Sequence, residues 1–273
     1  MRAAIAILFI LAMCYSVVSV AGLTFRRQLI YLFDAVPADL SDIPRTSVKL
    51  LPPKGDDPQL IVWVTEPEDG KPVILYFMGN SGSLSVHEPR LRPLADAGYG
   101  IAAMAYRGGG AQVGKPSEKA LNHDADRVYA ALPDLFRREI PARDLVIYGY
   151  ALGTGIAVRL ASEVDEMAVV LEAPFSRMCD VIWEYYPIFP TCKVMWDERY
   201  DSIDLIGKVN STVLFVHGYK DTTVPPHLGE QLYNAAMQPK FTKIYARAGH
   251  EDLGRYGAYE DVVDFLGTLR GER

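Results

Sequence analysis

Several features that point to particular classes of protein are scarce or missing in this sequence of 273 residues. Its three cysteines, Cys14, Cys179 and Cys192, include no C-x-x-C pair, which excludes a disulfide-built scaffold and a zinc site of the usual spacing. There is no run of lysine or arginine, and the formal net charge is −6, so nucleic acid is not an expected partner. The remaining composition, 49% hydrophobic and 23% charged, is that of an ordinary globular protein.

Charged side chains are also absent from residues 3–25. About 20 apolar residues suffice to cross a bilayer as a helix, so residues 1–25 are expected to be a signal anchor or a signal peptide. The small residues Ser19 and Ala21 would allow cleavage after Ala21, whereas the length of the run favours retention. Either outcome anchors or secretes the protein and places the rest of the chain in the periplasm or another extracytoplasmic space. There, Cys179 and Cys192 could form a disulfide or remain as two buried thiols.

The rest of the chain is predicted to contain a connector at 26–45 and one α/β domain at 46–273. Short strand-like runs alternate with longer helical runs, a pattern typical of βαβ units and a mostly parallel sheet. Strands are expected at about 48–51, 60–65, 73–77, 100–106, 144–148, 168–171, 213–217 and 243–246. Helices are expected at about 85–97, 118–132 and 258–269, with another that begins near Leu152.

Residues 174–207 break this alternation and are rich in aromatic residues and proline. We interpret them as a lid insertion over the carboxyl edge of the sheet, where open α/β sheets bind ligands. An ordinary packed excursion is the alternative interpretation. The glycine-rich loop at 107–114 lacks the Lys-Ser/Thr pair of a phosphate-binding loop, and neither a cofactor nor a metal is predicted.

The most informative stretch is Gly149-Tyr150-Ala151-Leu152-Gly153. It has the frame G-x-S-x-G of a nucleophile elbow, with alanine in the serine position. The frame has a physical basis, since the central residue occupies a strained turn and the residues two before and two after it must be small. The amide of Leu152, at the start of the following helix, is expected to face a developing oxyanion.

Two later loops and one earlier loop complete a catalytic constellation. Asp221 follows the strand predicted at 213–217, and His250 follows the last predicted strand. The order elbow, aspartate, histidine is that of an α/β-hydrolase triad. Asn80, directly after the strand at 73–77, is expected to offer a second amide to the oxyanion.

Six stretches carry a resemblance to a known family: FMGNSGS, AYRGGGAQVGKPSE, YGYALGTGIA, LEAPFS, VHGYKDTTVP and AGHEDL. They resemble the serine hydrolases of the Bem46 or ABHD13–ABHD17-like group within the α/β-hydrolase superfamily. The resemblance implies an α/β-hydrolase fold with a mostly parallel eight-stranded sheet, and hydrolysis of an ester, thioester or amide acyl bond. It is also consistent with the N-terminal apolar segment, because members are often anchored in membranes. The sequence departs from the family at Met78, where histidine is usual, and at Ala151, where the family has its nucleophile.

Three explanations of Ala151 remain open at this stage. The chain could be an inactive variant of a serine hydrolase, a natural pseudoenzyme that binds without turnover, or an enzyme in which a neighbour such as Ser81 or Thr154 replaces the nucleophile. In the first, serine at 151 would attack, His250 would act as base and acid, and Asp221 would orient the imidazole. The aromatic and apolar residues at 182–196 favour a small-molecule or lipid-like acyl substrate.

Overall fold

The structure is a computed structural model that describes residues 2–34 and 43–271. Its centre is an eight-stranded sheet in the order β1-β2-β4-β3-β5-β6-β7-β8, in which β2 is antiparallel to both of its neighbours and all other neighbouring pairs are parallel. The strands are β1 (Thr46–Leu51), β2 (Leu60–Thr65), β3 (Val73–Phe77), β4 (Gly100–Met104), β5 (Leu145–Tyr150), β6 (Ala168–Glu172), β7 (Thr212–Gly218) and β8 (Lys240–Tyr245). The predicted mostly parallel sheet is therefore present.

The central strands are buried because helices cover the sheet. Every residue of β3, β5 and β6 is buried, as expected for continuous apolar runs between two helical layers. The helices are α1 (Arg2–Ile30), α2 (Glu88–Asp96), α3 (Glu118–Ala130), α4 (Leu132–Phe136), α5 (Leu152–Ala161), α6 (Met178–Tyr185), α7 (Thr191–Val194), α8 (Ser202–Leu205), α9 (Pro226–Ala235) and α10 (Ala258–Leu269). Ser117 caps α3 by accepting a hydrogen bond from the amide of Ala120 at 3.1 Å.

Several element boundaries differ from those predicted, two of them at the start of an element. The last strand begins at Lys240, three residues before the predicted start, because β8 lies at the sheet edge and its exposed residues obscure the apolar signal. The helix predicted at 85–97 begins instead with a short 3-10 turn, Leu84–His87, before α2.

The N-terminal helix α1 extends to Ile30, five residues beyond the predicted apolar segment. Leu32–Phe33 then pairs in parallel with Ser81–Gly82, so residues 26–34 of the predicted connector have regular structure, while residues 35–42 lie outside the described residues. Across residues 2–34 and 43–271, Ala4–Ile30 is the one helix long and apolar enough to cross a membrane.

Ion pairs attach the end of α1 to the domain. The Arg26 guanidinium donates two hydrogen bonds to Asp197, at 2.7 and 2.6 Å, and Arg27 donates to Glu198 at 2.6 Å. Tyr31, just after the helix, hydrogen-bonds both Glu198 and Tyr200. Because Glu198 and Tyr200 are buried, these contacts set where α1 leaves the domain.

The segment at 174–207 forms the three short helices α6, α7 and α8. A disulfide between Cys179 and Cys192 joins α6 to α7, which decides between the two sequence-based alternatives for these cysteines. The segment covers the carboxyl edge of the sheet, since Phe175, Met178 and Val181 share a cavity with residues that follow β5 and β8.

Candidate active site

The turn between β5 and α5 has a strained backbone. Ala151 has φ 47° and ψ −115°, a combination that a residue with a Cβ adopts only when the surrounding structure enforces it. The enforcement comes from close packing on both sides of the turn. A Cβ on Gly149 would overlap the carbonyl of Gly153, and a Cβ on Gly153 would overlap the carbonyl of Phe77. The turn is therefore held by backbone approaches that only glycine permits.

An aspartate and a histidine meet beside this turn. Asp221 lies in the loop after β7 and His250 in the loop after β8, and the His250 Nδ1 is 2.7 Å from the Asp221 Oδ2. The other carboxylate oxygen, Oδ1, accepts hydrogen bonds from the amides of Thr223 and Val224, each at 2.8 Å. The carboxylate is thus held in a fixed orientation behind the imidazole.

Two opposing effects act on the pKa of Asp221. Burial raises it, because a charged carboxylate loses its hydration. Hydrogen bonds to His217 and His250 lower it, with further help from the Val224 amide, and together these hold the pKa of Asp221 well below its usual range. The acid is therefore ionised at neutral pH.

A cavity of about 260 Å³ brings most of the predicted site residues together. Asn80, Ala151, Leu152 and His250 all line it, and Asp221 lies behind His250. Leu152 is the first residue of α5, where amides have no intrahelical acceptor. The side chain of Asn80 donates to the carbonyl of Ile30 at 2.8 Å, so the loop after β3 is tied to the end of α1.

A buried ion pair between Arg90 and Glu172 packs against Tyr150 of the elbow, and the sequence did not predict it. The guanidinium of Arg90 lies 3.6 Å from the ring centroid of Tyr150 and donates to Glu172 at 3.0 Å. The hydroxyl of Tyr148 donates to the other oxygen of Glu172 at 2.7 Å. Glu172, the last residue of β6, therefore accepts hydrogen bonds from both Arg90 and Tyr148. Nothing local to Arg90 in the sequence signals this role, because its partners are far along the chain.

The walls of the cavity are mostly apolar. Phe175, Met178 and Val181 come from the insertion, and Leu29 and Ile30 come from the end of α1. The contribution of α1 was also missed, since an apolar N-terminal run indicates only a membrane or export function. In the part of the chain that the structure describes, Cys179, Asp180 and Cys192 form the one group close enough to share a metal, but their two sulfurs are joined in the disulfide.

Comparisons with known proteins show what this chain resembles in sequence and in fold. An uncharacterised protein of Mycobacterium tuberculosis is 31% identical over 242 residues, which cover 83% of this chain and 81% of that protein. The lysophosphatidylserine lipase ABHD12 of Xenopus tropicalis is 29% identical over 227 residues, which cover 72% of this chain but 58% of the lipase. An esterase of Pyrococcus furiosus superposes with a TM-score of 0.68 at 17% identity, over 87% of this chain and 97% of the esterase. No family model matches the chain.

These likenesses, together with the sheet order, define the class of protein. The chain belongs to the α/β-hydrolase superfamily and, within it, to the family of the mycobacterial protein. The predicted α/β-hydrolase fold is confirmed. The resemblance to the Bem46 or ABHD13–ABHD17-like group is confirmed only at the level of the superfamily, because the named relatives are ABHD12 lipases.

Proposed function

We propose that this chain carries the active site of a serine hydrolase for acyl esters, with alanine in the position of the nucleophile. The observation that supports it most is the pairing of His250 and Asp221 at 2.7 Å beside the strained turn at Ala151. An imidazole oriented by a buried carboxylate is the arrangement that activates a hydroxyl for attack on a carbonyl. Thioester and amide acyl bonds undergo the same chemistry and remain within the proposal.

The role of each residue follows from its position. A hydroxyl at 151 would attack the acyl carbonyl, and His250 would accept its proton and later pass that proton to the leaving group. Asp221 would hold the imidazole tautomer that keeps Nε2 free to act as base. The amides of Asn80 and Leu152 would donate to the oxyanion of the tetrahedral intermediate.

The methyl group of Ala151 cannot form an acyl-enzyme, so the chain is proposed to bind its ester without efficient turnover. Thr154 is a poor replacement, because its buried hydroxyl already donates to the carbonyl of Ala151 at 2.7 Å. Ser81 is exposed and lies in the short strand pairing with Leu32. Neither Ser81 nor Thr154 lines the cavity that contains Ala151 and His250.

A lipid-like acyl group is the proposed substrate class. The apolar walls from the insertion and from α1 favour it, and the lipase name of the ABHD12 relatives points the same way. The length and composition of Ala4–Ile30 support a membrane anchor, and the disulfide supports an oxidising compartment outside the cytoplasm.

The decisive experiment restores the nucleophile with Ala151→Ser. We expect this variant to react with a fluorophosphonate probe and to hydrolyse p-nitrophenyl butyrate at least about 10³-fold faster than the starting chain, because loss of a triad member removes that much or more. The control is Ala151→Ser combined with His250→Ala, which has the hydroxyl but no base. Adding Asp221→Asn instead should lower kcat by about 10³- to 10⁴-fold.

A folded Ala151→Ser protein that neither reacts with the probe nor hydrolyses the ester would contradict the hydrolase proposal. That result would favour the alternative of a natural pseudoenzyme, a membrane-tethered binding protein on a hydrolase scaffold. Folding is checked by circular dichroism and by retention of the Cys179–Cys192 disulfide.

A further inference from the structure

A second cavity lies between α1 and the insertion. Its volume is about 310 Å³, against about 260 Å³ for the cavity at Ala151. Val18, Gly22 and Phe25 of α1 form one wall, and Phe189, Val194 and Met195 form the other. None of the described residues that line it is charged. An apolar cavity of this size is typical of a small-molecule site.

The two cavities adjoin each other. Leu29, Ile182 and Tyr186 line both of them, so these side chains border both the space beside Ala151 and the space along α1. The α1 residues that line the combined space run from Val18 to Ile30, which is about 18 Å along a helix that rises 1.5 Å per residue. The combined space therefore suits an elongated apolar ligand that has its reactive end at Ala151.

At its Val18 end, this space adjoins the exposed apolar part of α1. The α1 residues at 4–18 are exposed and mostly apolar, as in Phe9 and Leu11 at 70% and 60% exposure. The insertion also has exposed apolar side chains, with Ile188 at 78% and Trp196 at 65% exposure. Tryptophan is enriched where a protein meets the surface of a bilayer.

Arg26 lies near the C-terminal end of α1, close to Trp196 of the insertion. Its guanidinium is paired with Asp197 and lies 6.0 Å from the ring centroid of Trp196. A paired charge and an exposed indole at the foot of a membrane-length helix are features of a membrane–water boundary. Arg26 lies within the span of α1 that borders the cavity, since Phe25 and Leu29 both line it.

We propose that the cavity between α1 and the insertion binds the long acyl chain of a membrane lipid ester, which enters from the bilayer side and places its carbonyl beside Ala151. The proposal rests on the proposed function for the identity of the reactive end. It makes α1 a wall of the substrate site in addition to an anchor. It also makes the acyl chain, rather than the headgroup, the part of the lipid that contacts α1.

The test fills the cavity in the Ala151→Ser background. A Cβ on Gly22 would have no described atom within 4 Å, so Gly22→Phe adds bulk to the cavity without a clash at the helix among the described residues. We expect kcat/KM for p-nitrophenyl palmitate to fall by about tenfold or more, since tenfold corresponds to about 1.4 kcal/mol of lost chain burial. The loss should be smaller for p-nitrophenyl butyrate, because its chain is too short to reach Gly22.

Val20→Phe is the matched control. Val20 lies two residues away on the same helix, is 61% exposed and does not line the cavity. Full-length proteins in phosphatidylcholine vesicles are compared throughout. An equal loss of palmitate hydrolysis in Gly22→Phe and Val20→Phe, or no loss in either while butyrate is hydrolysed, overturns the proposal.

A second measurement uses the chain with Ala151 and needs no turnover. A palmitate ester with a diazirine at the end of its chain is photolysed in the same vesicles, and the labelled peptides are identified by mass spectrometry. Label on residues 18–25 or 189–195, reduced in Gly22→Phe and unchanged in Val20→Phe, supports the acyl site. Label confined to lipid-facing residues such as Phe9 overturns it. If Ala151→Ser fails to hydrolyse butyrate, the proposed function fails while this measurement still decides the location of the chain.

Discussion

The elbow and the two loops beside it differ in what holds their conformation. The loops after β7 and β8 hold a hydrogen-bonded carboxylate and imidazole, Asp221 and His250. The elbow has a strained backbone with a methyl group at its centre, in Ala151. The geometry of the elbow is thus maintained by steric packing, independently of the side chain that it would present. The loops, by contrast, are organised by charge and hydrogen bonding.

The largest expected effect tests whether steric packing holds the elbow. In Gly153→Ala, the new Cβ would overlap the carbonyl oxygens of Phe77 and Met78. We expect the free energy of unfolding to fall by about 3 kcal/mol, since overpacking against a rigid backbone cannot relax. Urea denaturation in mild detergent measures it.

The matched control is in the histidine loop. A Cβ on Gly249 meets only ordinary contacts, 3.6 Å from the Asp252 Oδ1 and 3.8 Å from the Lys220 carbonyl oxygen. Gly249→Ala should therefore change the free energy of unfolding by no more than about 0.5 kcal/mol. If Gly153→Ala and Gly249→Ala lowered the free energy of unfolding by similar amounts, the elbow and the loops would not differ in how they are held.

A second, smaller effect tests whether charge and hydrogen bonding hold the two loops. At pH 7, Asp221→Asn should lower the free energy of unfolding by about 1.5–3 kcal/mol, because it removes hydrogen bonds to a charged group. The folded-state pKa of Asp221 is depressed, so the stability that its ionised form contributes is present above the unfolded pKa of 3.8 and is lost as the pH falls toward the folded value.

The cost of Asp221→Asn should therefore shrink by about 1 kcal/mol between pH 5 and pH 3, since one pKa unit corresponds to about 1.4 kcal/mol. The cost of Gly153→Ala should be the same at both pH values, because it has no ionisable origin. A cost of Asp221→Asn that is independent of pH would show that the loop is also held mainly by packing.

The smallest effect concerns the strain at the centre of the elbow. Ala151→Gly should raise the free energy of unfolding by about 1 kcal/mol, because relief of a positive-φ conformation outweighs the greater entropy of unfolded glycine. Ala157→Gly, inside α5, should instead lower it by about 1 kcal/mol. Opposite signs for two identical substitutions sharpen the assignment of strain to position 151. Destabilisation at both would contradict it.

Much of the fold could be predicted because its signals are local. The apolar runs at 60–65 and 73–77 match β2 and β3, and the helix predicted at 258–269 matches α10. Edge strand β8 was misplaced because an edge strand faces solvent and its apolar pattern is weak. The end of α1 was misplaced because the helix continues through Arg26 and Arg27, whose charges are compensated by Asp197 and Glu198 some 170 residues away.

The site residues also divide into those that short motifs predict and those that only contacts between distant segments reveal. The candidate residues Ala151, Asp221 and His250 could be named from short motifs, since a turn frame and two strand-end loops are encoded by neighbouring residues. The support of the elbow by Arg90 and Glu172 could not, because their 3.0 Å ion pair joins residues 82 apart in the chain.

By itself, the sequence determined the order of strands and helices, the small residues of the elbow and the absence of a nucleophilic oxygen at Ala151. Those properties depend on residues a few positions apart, whose spacing and side chains dictate local conformation. Only the tertiary structure decided that His250 hydrogen-bonds Asp221 and that Glu172 pairs with Arg90. It also decided that α1 and the insertion both line the cavity at Ala151. These are contacts between distant segments, and they arise from how the sheet edge, the insertion and the N-terminal helix pack together.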